Sequence, residues 1–251
     1  MSDFAKEKIV PRLLITLCLL LLASPAAALT ADEVLARVDR NLQPETAEMY
    51  RKLINIDPDG SRKEFVLYSL RKGRDRTVAL FLSPASEKGR ATLRQDDNMW
   101  LYIPEVGRPI RITSLQSVVG GVFNNSDILR LDYQSEYEPV ALTEQGDNYL
   151  LELEAKSGAV AYDKLLMVVD RQALVPTEIE CRTADGMLIK TLRYSELKDF
   201  GDGVMRPSVL ETESPLYLGY RSVMIWGQIT PRELSDEIFT LSYLPRVEEL
   251  R

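Results

Sequence analysis

The 251-residue sequence contains no histidine, and beyond its first 28 residues it holds a single cysteine, Cys181. Without histidine, Ser-His-Asp and Cys-His catalysis are excluded and a zinc site is disfavoured. With one cysteine no intramolecular disulfide forms, so stability has to come from apolar burial. Cys181 lies in the alternating run EIECRTADG, where a thiol with no histidine beside it behaves as a small buried hydrophobe. A polybasic cluster is also missing. Lys+Arg number 31 against 38 Asp+Glu, a formal net charge of −7, which repels nucleic-acid phosphate and gives no steady hold on anionic lipid. No Pro/Gly/Ser-rich linker divides the chain, and one domain is expected rather than two. Paired carboxylates such as Glu152 and Glu154, two apart on a strand, read as a solvated acidic face. No catalytic residue, cofactor or metal is expected.

What is present begins with Lys6, Lys8 and Arg12, an apolar run from Leu13 to Ala23, and the small residues Ala26-Ala27-Ala28. This is the pattern of a secretory signal peptide, residues 1–28, cleaved near Ala28. The apolar run is short for a bilayer span and no second one follows, so stable membrane insertion is not expected. Residues 29–251 would then carry 28 Lys/Arg against 36 Asp/Glu, a balance of −8.

Thr30-Ala31-Asp32-Glu33 offers a capping box, followed by Val34, Leu35, Val38 and Leu42 on one helical face, with Pro44 ending the element. From Glu45 onward short β-prone runs alternate with turn formers, including Asp57-Pro58-Asp59-Gly60, Gly146-Asp147-Asn148, Ala184-Asp185-Gly186 and Gly201-Asp202-Gly203. The fold class this predicts is mainly β: a curved antiparallel sheet of about eleven strands. An N-terminal helix, a middle helical segment and a short helical piece at Pro231–Glu237 accompany it, and a last strand runs from Ile238 to Leu244. The pattern breaks at 115–133, LQSVVGGVFNNSDILRLDY, long and apolar enough to be either a static cover or a lid pivoting on Gly120-Gly121.

A sheet of this many strands curls and encloses more room than side chains usually fill. With helices in its mouth it becomes a candidate hydrophobic carrier, its ligand site concave and mostly apolar. The candidate wall residues are Leu67, Val78, Leu80, Trp100, Leu101, Leu151, Leu153, Ile179 and Leu192 on strands, with Leu35, Val38, Val122 and Phe123 on covering segments. Trp100 and Leu101 point to opposite faces, and alternation leaves open which one meets the cavity, because Met99 to Ile103 is apolar throughout. Arg108 and Arg111 are candidates for contact with a head group or a partner.

The stretch FLSPASEKGRATLRQDDNMWLYIPEVGRPIRI resembles the signature of the LolA-like outer-membrane lipoprotein-sorting proteins. The likeness runs through Phe81, Pro84, Gly89, Leu93, Trp100, Tyr102, Pro104, Arg108, Arg111 and Ile112, and SDEIFTLSYL resembles the family's closing strand through Phe239, Thr240 and Leu244. FNNSDILRLDY matches only at Ser126 and Asp127. The resemblance implies an unclosed β-barrel with a helical lid, periplasmic location, and carriage of lipoproteins or lipids by their acyl chains towards the outer membrane. The partners it implies are the lipoprotein or lipid ligand, an inner-membrane transporter or exporter and an outer-membrane acceptor, with the carrier a monomer. The alternative it leaves open is a lipid-sensing regulatory module of an envelope-stress pathway.

Overall fold

The computed structural model describes residues 28–42, 44–129, 132–201 and 205–251; apart from Ala28, the expected signal peptide lies outside the described residues. Among the described residues no helix is long and apolar enough to cross a membrane. Helix α1 spans Ala31–Leu42 and starts as its cap predicts. The Thr30 N–H donates to Glu33 Oε2 at 2.8 Å and the Glu33 N–H donates to Thr30 Oγ1 at 3.3 Å, so two orphan amides are satisfied reciprocally.

Six strands follow: β1 (Thr46–Ile56), β2 (Arg62–Lys72), β3 (Arg76–Ser83), β4 (Ala91–Gln95), β5 (Asn98–Tyr102) and β6 (Ile110–Ile112). A middle segment then carries two one-turn helices, α2 (Asn125–Ile128) and α3 (Tyr133–Glu136). The second run of strands is β7 (Tyr137–Gln145), β8 (Asn148–Ala155), β9 (Lys164–Asp170), β10 (Pro176–Arg182), β11 (Leu188–Asp199), β12 (Met205–Glu213) and β13 (Arg221–Pro231). Two 3-10 helices, Asp236–Phe239 and Leu244–Leu250, form a C-terminal arm. Among the described residues there are thus thirteen strands rather than about eleven.

All thirteen strands join one antiparallel sheet in the order β6-β5-β4-β3-β2-β1-β13-β12-β11-β10-β9-β8-β7. The first meander is sealed to the second by β1 against β13, and the unclosed, curled sheet keeps β6 and β7 as its edges. The run Ile238–Leu244, expected as a strand, is 3-10 helix and turn instead. β13 already has β1 and β12 as neighbours, so the chain beyond Pro231 finds no open ladder there and turns onto the outer face. The expected helical piece at Pro231–Glu237 begins only at Asp236, since Pro231 still belongs to β13.

Alternation divides the side chains between two apolar layers. On the concave face Leu53, Phe65, Leu67, Phe81, Leu101, Leu151, Leu153, Ile179, Cys181 and Leu192 pack with α1 and the middle segment. On the outer face Tyr68, Leu70, Val78, Leu80 and Leu93 pack under Leu234, Ile238, Phe239, Leu244 and Val247 of the C-terminal arm. The arm is pinned by Lys72 Nζ, which donates to Leu234 O at 2.7 Å and Asp236 Oδ1 at 2.6 Å, and by Arg232 Nη1, which donates to Glu48 Oε2 at 2.5 Å. Two faces buried at once explain why Met99–Ile103 is apolar at every position: Met99 and Leu101 point inward, Trp100 and Tyr102 outward.

Candidate functional site

The mouth of the curled sheet is filled from two directions. From one side α1 lays Val34, Leu35, Val38 and Leu42 on the concave layer. From the other, the middle segment inserts Val118, Phe123, Ile128 and Leu129. Nine of the thirteen predicted wall residues meet in this one layer: Leu35, Val38, Leu67, Leu101, Phe123, Leu151, Leu153, Ile179 and Leu192. Val122 is buried beside it. Val78, Leu80 and Trp100 lie on the opposite face under the C-terminal arm, because their parity along β3 and β5 is that of Tyr68 and Leu70. Between Trp100 and Leu101, Leu101 is the inward residue. Arg108 is exposed, and Arg111, also exposed, donates from Nη2 to Asn98 Oδ1 at 2.5 Å.

The middle segment is held to the sheet by buried polar side chains. Asn55 Nδ2 on β1 donates to Val119 O at 3.2 Å, and Ser222 Oγ on β13 donates to Asn55 Oδ1 at 2.8 Å while accepting from the Val122 N–H at 2.9 Å. Lys190 Nζ on β11 donates to Val122 O at 2.6 Å and to Asp127 Oδ2 at 2.9 Å, an ion pair with both side chains at most 5% exposed. Tyr162 OH donates to Asp127 Oδ1 at 3.0 Å. Asp127 also completes a capping box with Asn124, starting α2. Arg51 Nη1 on β1 donates to Ile128 O at 2.9 Å and its Nη2 to Ser69 Oγ at 2.5 Å. Arg94 on β4 pairs with Glu136 of α3. Gly120-Gly121, expected as a pivot, has a second reason to be there: a Cβ on Gly121 would sit 2.1 Å from Asn55 Oδ1. The segment therefore approaches β1 more closely than any residue with a side chain allows.

α1 joins the same framework through Asp39, whose carboxylate accepts the N–H groups of Tyr133 and Gln134 at 2.8 and 2.9 Å. Burial raises the Asp39 carboxyl to about 7 despite these two bonds.

Beneath Ile128 a cavity of about 30 Å³ remains, lined by Leu42, Met49, Arg51, Ser69, Arg71, Thr77, Asp127, Ile128, Tyr194, Arg206, Pro207, Leu210 and Trp226. None of these was a predicted wall residue. The signal for them was parity: Ala47, Met49, Arg51, Leu53 and Asn55 alternate inward along β1, so Arg51 and Asn55 stand at positions otherwise apolar. Leu67, Ser69 and Arg71 do the same on β2, and Arg206, Ser208, Leu210 and Thr212 on β12. A strand position that alternates with core residues yet carries arginine marks a buried charge.

Comparison with known proteins fits this architecture. A family model described as an uncharacterized protein family matches residues 73–246, more than half of the chain. Among curated proteins nothing matches. A LolA superfamily protein from Nitrosomonas europaea is 29% identical, covers 86% of this chain and 100% of its own, and superposes with a TM-score of 0.78. An outer membrane lipoprotein-sorting protein domain from Vibrio parahaemolyticus shares the fold at 19% identity and a TM-score of 0.73, covering 86% of this chain and 100% of its own. A DUF1329 family protein from Desulfovibrio piger does so at 23% and 0.74, covering 85% of this chain and 97% of its own. The chain therefore belongs to the uncharacterized protein family whose model it matches, and its thirteen-strand unclosed sheet with a leading helix in its mouth is the fold of these LolA-like relatives.

Proposed function

We propose that this protein is a periplasmic carrier that takes up acyl chains of lipids or lipoproteins between its concave sheet and the α1 and middle-segment cover, and moves them towards the outer membrane. The observation that carries this reading is the composition of the concave layer. Its sheet side carries Leu67 on β2 and Leu151, Leu153, Ile179 and Leu192 on β8, β10 and β11, and much of what covers it belongs to α1 and two one-turn helices rather than to further sheet. Short helices fastened by a few polar bonds separate from a wall at less cost than strands leave a ladder. A chain entering there exchanges one apolar surface for another and is retained by about 0.8 kcal/mol per buried methylene.

The test is mass spectrometry of the protein purified from the periplasm without detergent, together with displacement of a fluorescent fatty-acid probe. A co-purified lipid or lipoprotein and saturable displacement are expected. Absence of both would sink the carrier reading.

A further inference from the structure

Two arginines of the cavity, Arg51 and Arg206, have no acidic partner among the described residues. Arg206, 4% exposed, stacks on Phe200 and Trp226 at 5.5 Å from each ring, and its Nε and Nη1 have no hydrogen-bond partner among the described residues. Arg51, 6% exposed, spends Nη1 and Nη2 on Ile128 O and Ser69 Oγ, neutral acceptors, and its Nε has no partner among the described residues. The described acids nearby are committed elsewhere. Asp127 is held by Lys190 and Tyr162, Glu136 by Arg94, and Asp39 and Asp132 lie on the side of Arg71. Burial lowers Arg51 and Arg206 to about 10, and both stay charged at neutral pH. A buried cation without an anion is strongly disfavoured, and retaining two side by side calls for a compensating group that binds.

We propose that the cavity is a buried oxyanion subsite, in which the carboxylate or phosphate end of an amphiphile seats between Arg51 and Arg206 while its apolar chain runs onto Met49, Ile128 and Leu210. The arginine fork suits two oxygens on one centre. At about 30 Å³ the space takes roughly two water molecules, which suits a carboxylate better than a phosphate. For the apolar part of the ligand the inference rests on the carrier reading; for the anionic part it stands on the arginines alone.

The experiment compares palmitate, its methyl ester and hexadecyl phosphate in the probe-displacement assay, with wild type and Arg206→Met. Wild type is expected to bind palmitate at least 10-fold more tightly than the ester, with hexadecyl phosphate between them, and Arg206→Met to lose about 10- to 100-fold in palmitate affinity with the ester unchanged. Hexadecyl phosphate binding above palmitate would identify phosphate as the anion and keep the subsite. Equal binding of palmitate and ester would overturn the subsite and leave the carrier reading standing. If no chain binds, the carrier reading fails, and acetate decides the subsite: a rise in melting temperature in wild type but not in Arg206→Met supports it, and no rise overturns it. A second readout guards against a merely structural arginine. Because the substitution removes an uncompensated buried charge, the melting temperature of ligand-free Arg206→Met should equal or exceed that of wild type, whereas a drop would show that Arg206 serves the fold.

Discussion

Gly121 and Asn55 share one volume, and that contact sets how the middle segment lies. Asn55 cannot swing aside freely, since it donates to Val119 and accepts from Ser222. Gly121→Ala therefore forces the Cβ into a side chain held at both ends and should destabilise the protein by about 1–3 kcal/mol, read as a lower urea midpoint at constant m. Lys190 presents the electrostatic counterpart. Replacing it by Met strands the Asp127 carboxylate, whose side chain is 0% exposed, and should cost about 3–5 kcal/mol in the same measurement. Lys190→Met combined with Asp127→Asn should recover part of that loss, as a double-mutant cycle would report. Asp39 adds a pH dependence of defined sign. Burial raises its native carboxyl to about 7 from an ordinary value of 3.8, so between those values the native state binds the extra proton and this residue's contribution to stability falls as pH rises. Melting temperatures taken from pH 4 to 8 should show a decline that Asp39→Asn lacks.

Three elements cover the sheet, and they are fastened differently. α1 and the middle segment meet the concave wall through apolar stripes and a handful of buried polar bonds, while the C-terminal arm meets the outer face through a second apolar layer pinned at Lys72 and Arg232. If the middle segment has to lift for a ligand to pass, tying it to β1 should block exchange. The Gly121 Cβ position lies 2.5 Å from Asn55 Cγ, which brings the two Cβ positions into disulfide range, and Gly121→Cys with Asn55→Cys offers the bridge. Oxidised, this variant should neither load nor release the fluorescent fatty acid; reduced, it should regain exchange. Unchanged exchange in the oxidised form would show the segment to be a static cover. The arm should behave as core: removing residues 234–251 uncovers Tyr68, Leu70, Val78, Leu80 and Leu93, and is expected to give a protein that aggregates or unfolds without a cooperative transition.

For the molecule as a whole, the pairing of β1 with β13 makes the two meanders one sheet, and unfolding of either half should take the other with it. The two tryptophans report on opposite sides of that sheet. Trp100 packs under the C-terminal arm and Trp226 lines the cavity. Trp100→Phe and Trp226→Phe variants should therefore show the same denaturation midpoint by fluorescence, matching circular dichroism. A long-chain anion should alter emission from Trp226 and leave Trp100 unchanged. Ligand signal at Trp100 alone would place the site on the outer face instead.

Much of this was legible along the chain. The capping box of Thr30 and Glu33, the inward stripe of α1 and the opposed parities of Leu67 and Tyr68 follow from local spacing, because backbone geometry gives helices and strands their periods regardless of what they pack against. The likeness in Phe81–Ile112 pointed to the LolA-like fold for the same local reason. Periodicity does not say which partner covers a face. Val78, Leu80 and Trp100 were placed with the cavity, and only the packing of a segment some 150 residues later showed the C-terminal arm above them. Nor does a single strand reveal that its inward arginine will meet another: Arg51 and Arg206 lie on strands that flank β13, and they line one cavity because β1 pairs with β13 and sets the two meanders side by side. The sequence by itself determined the element types and the faces they bury; the closure of β1 on β13 decided which charges would share the interior.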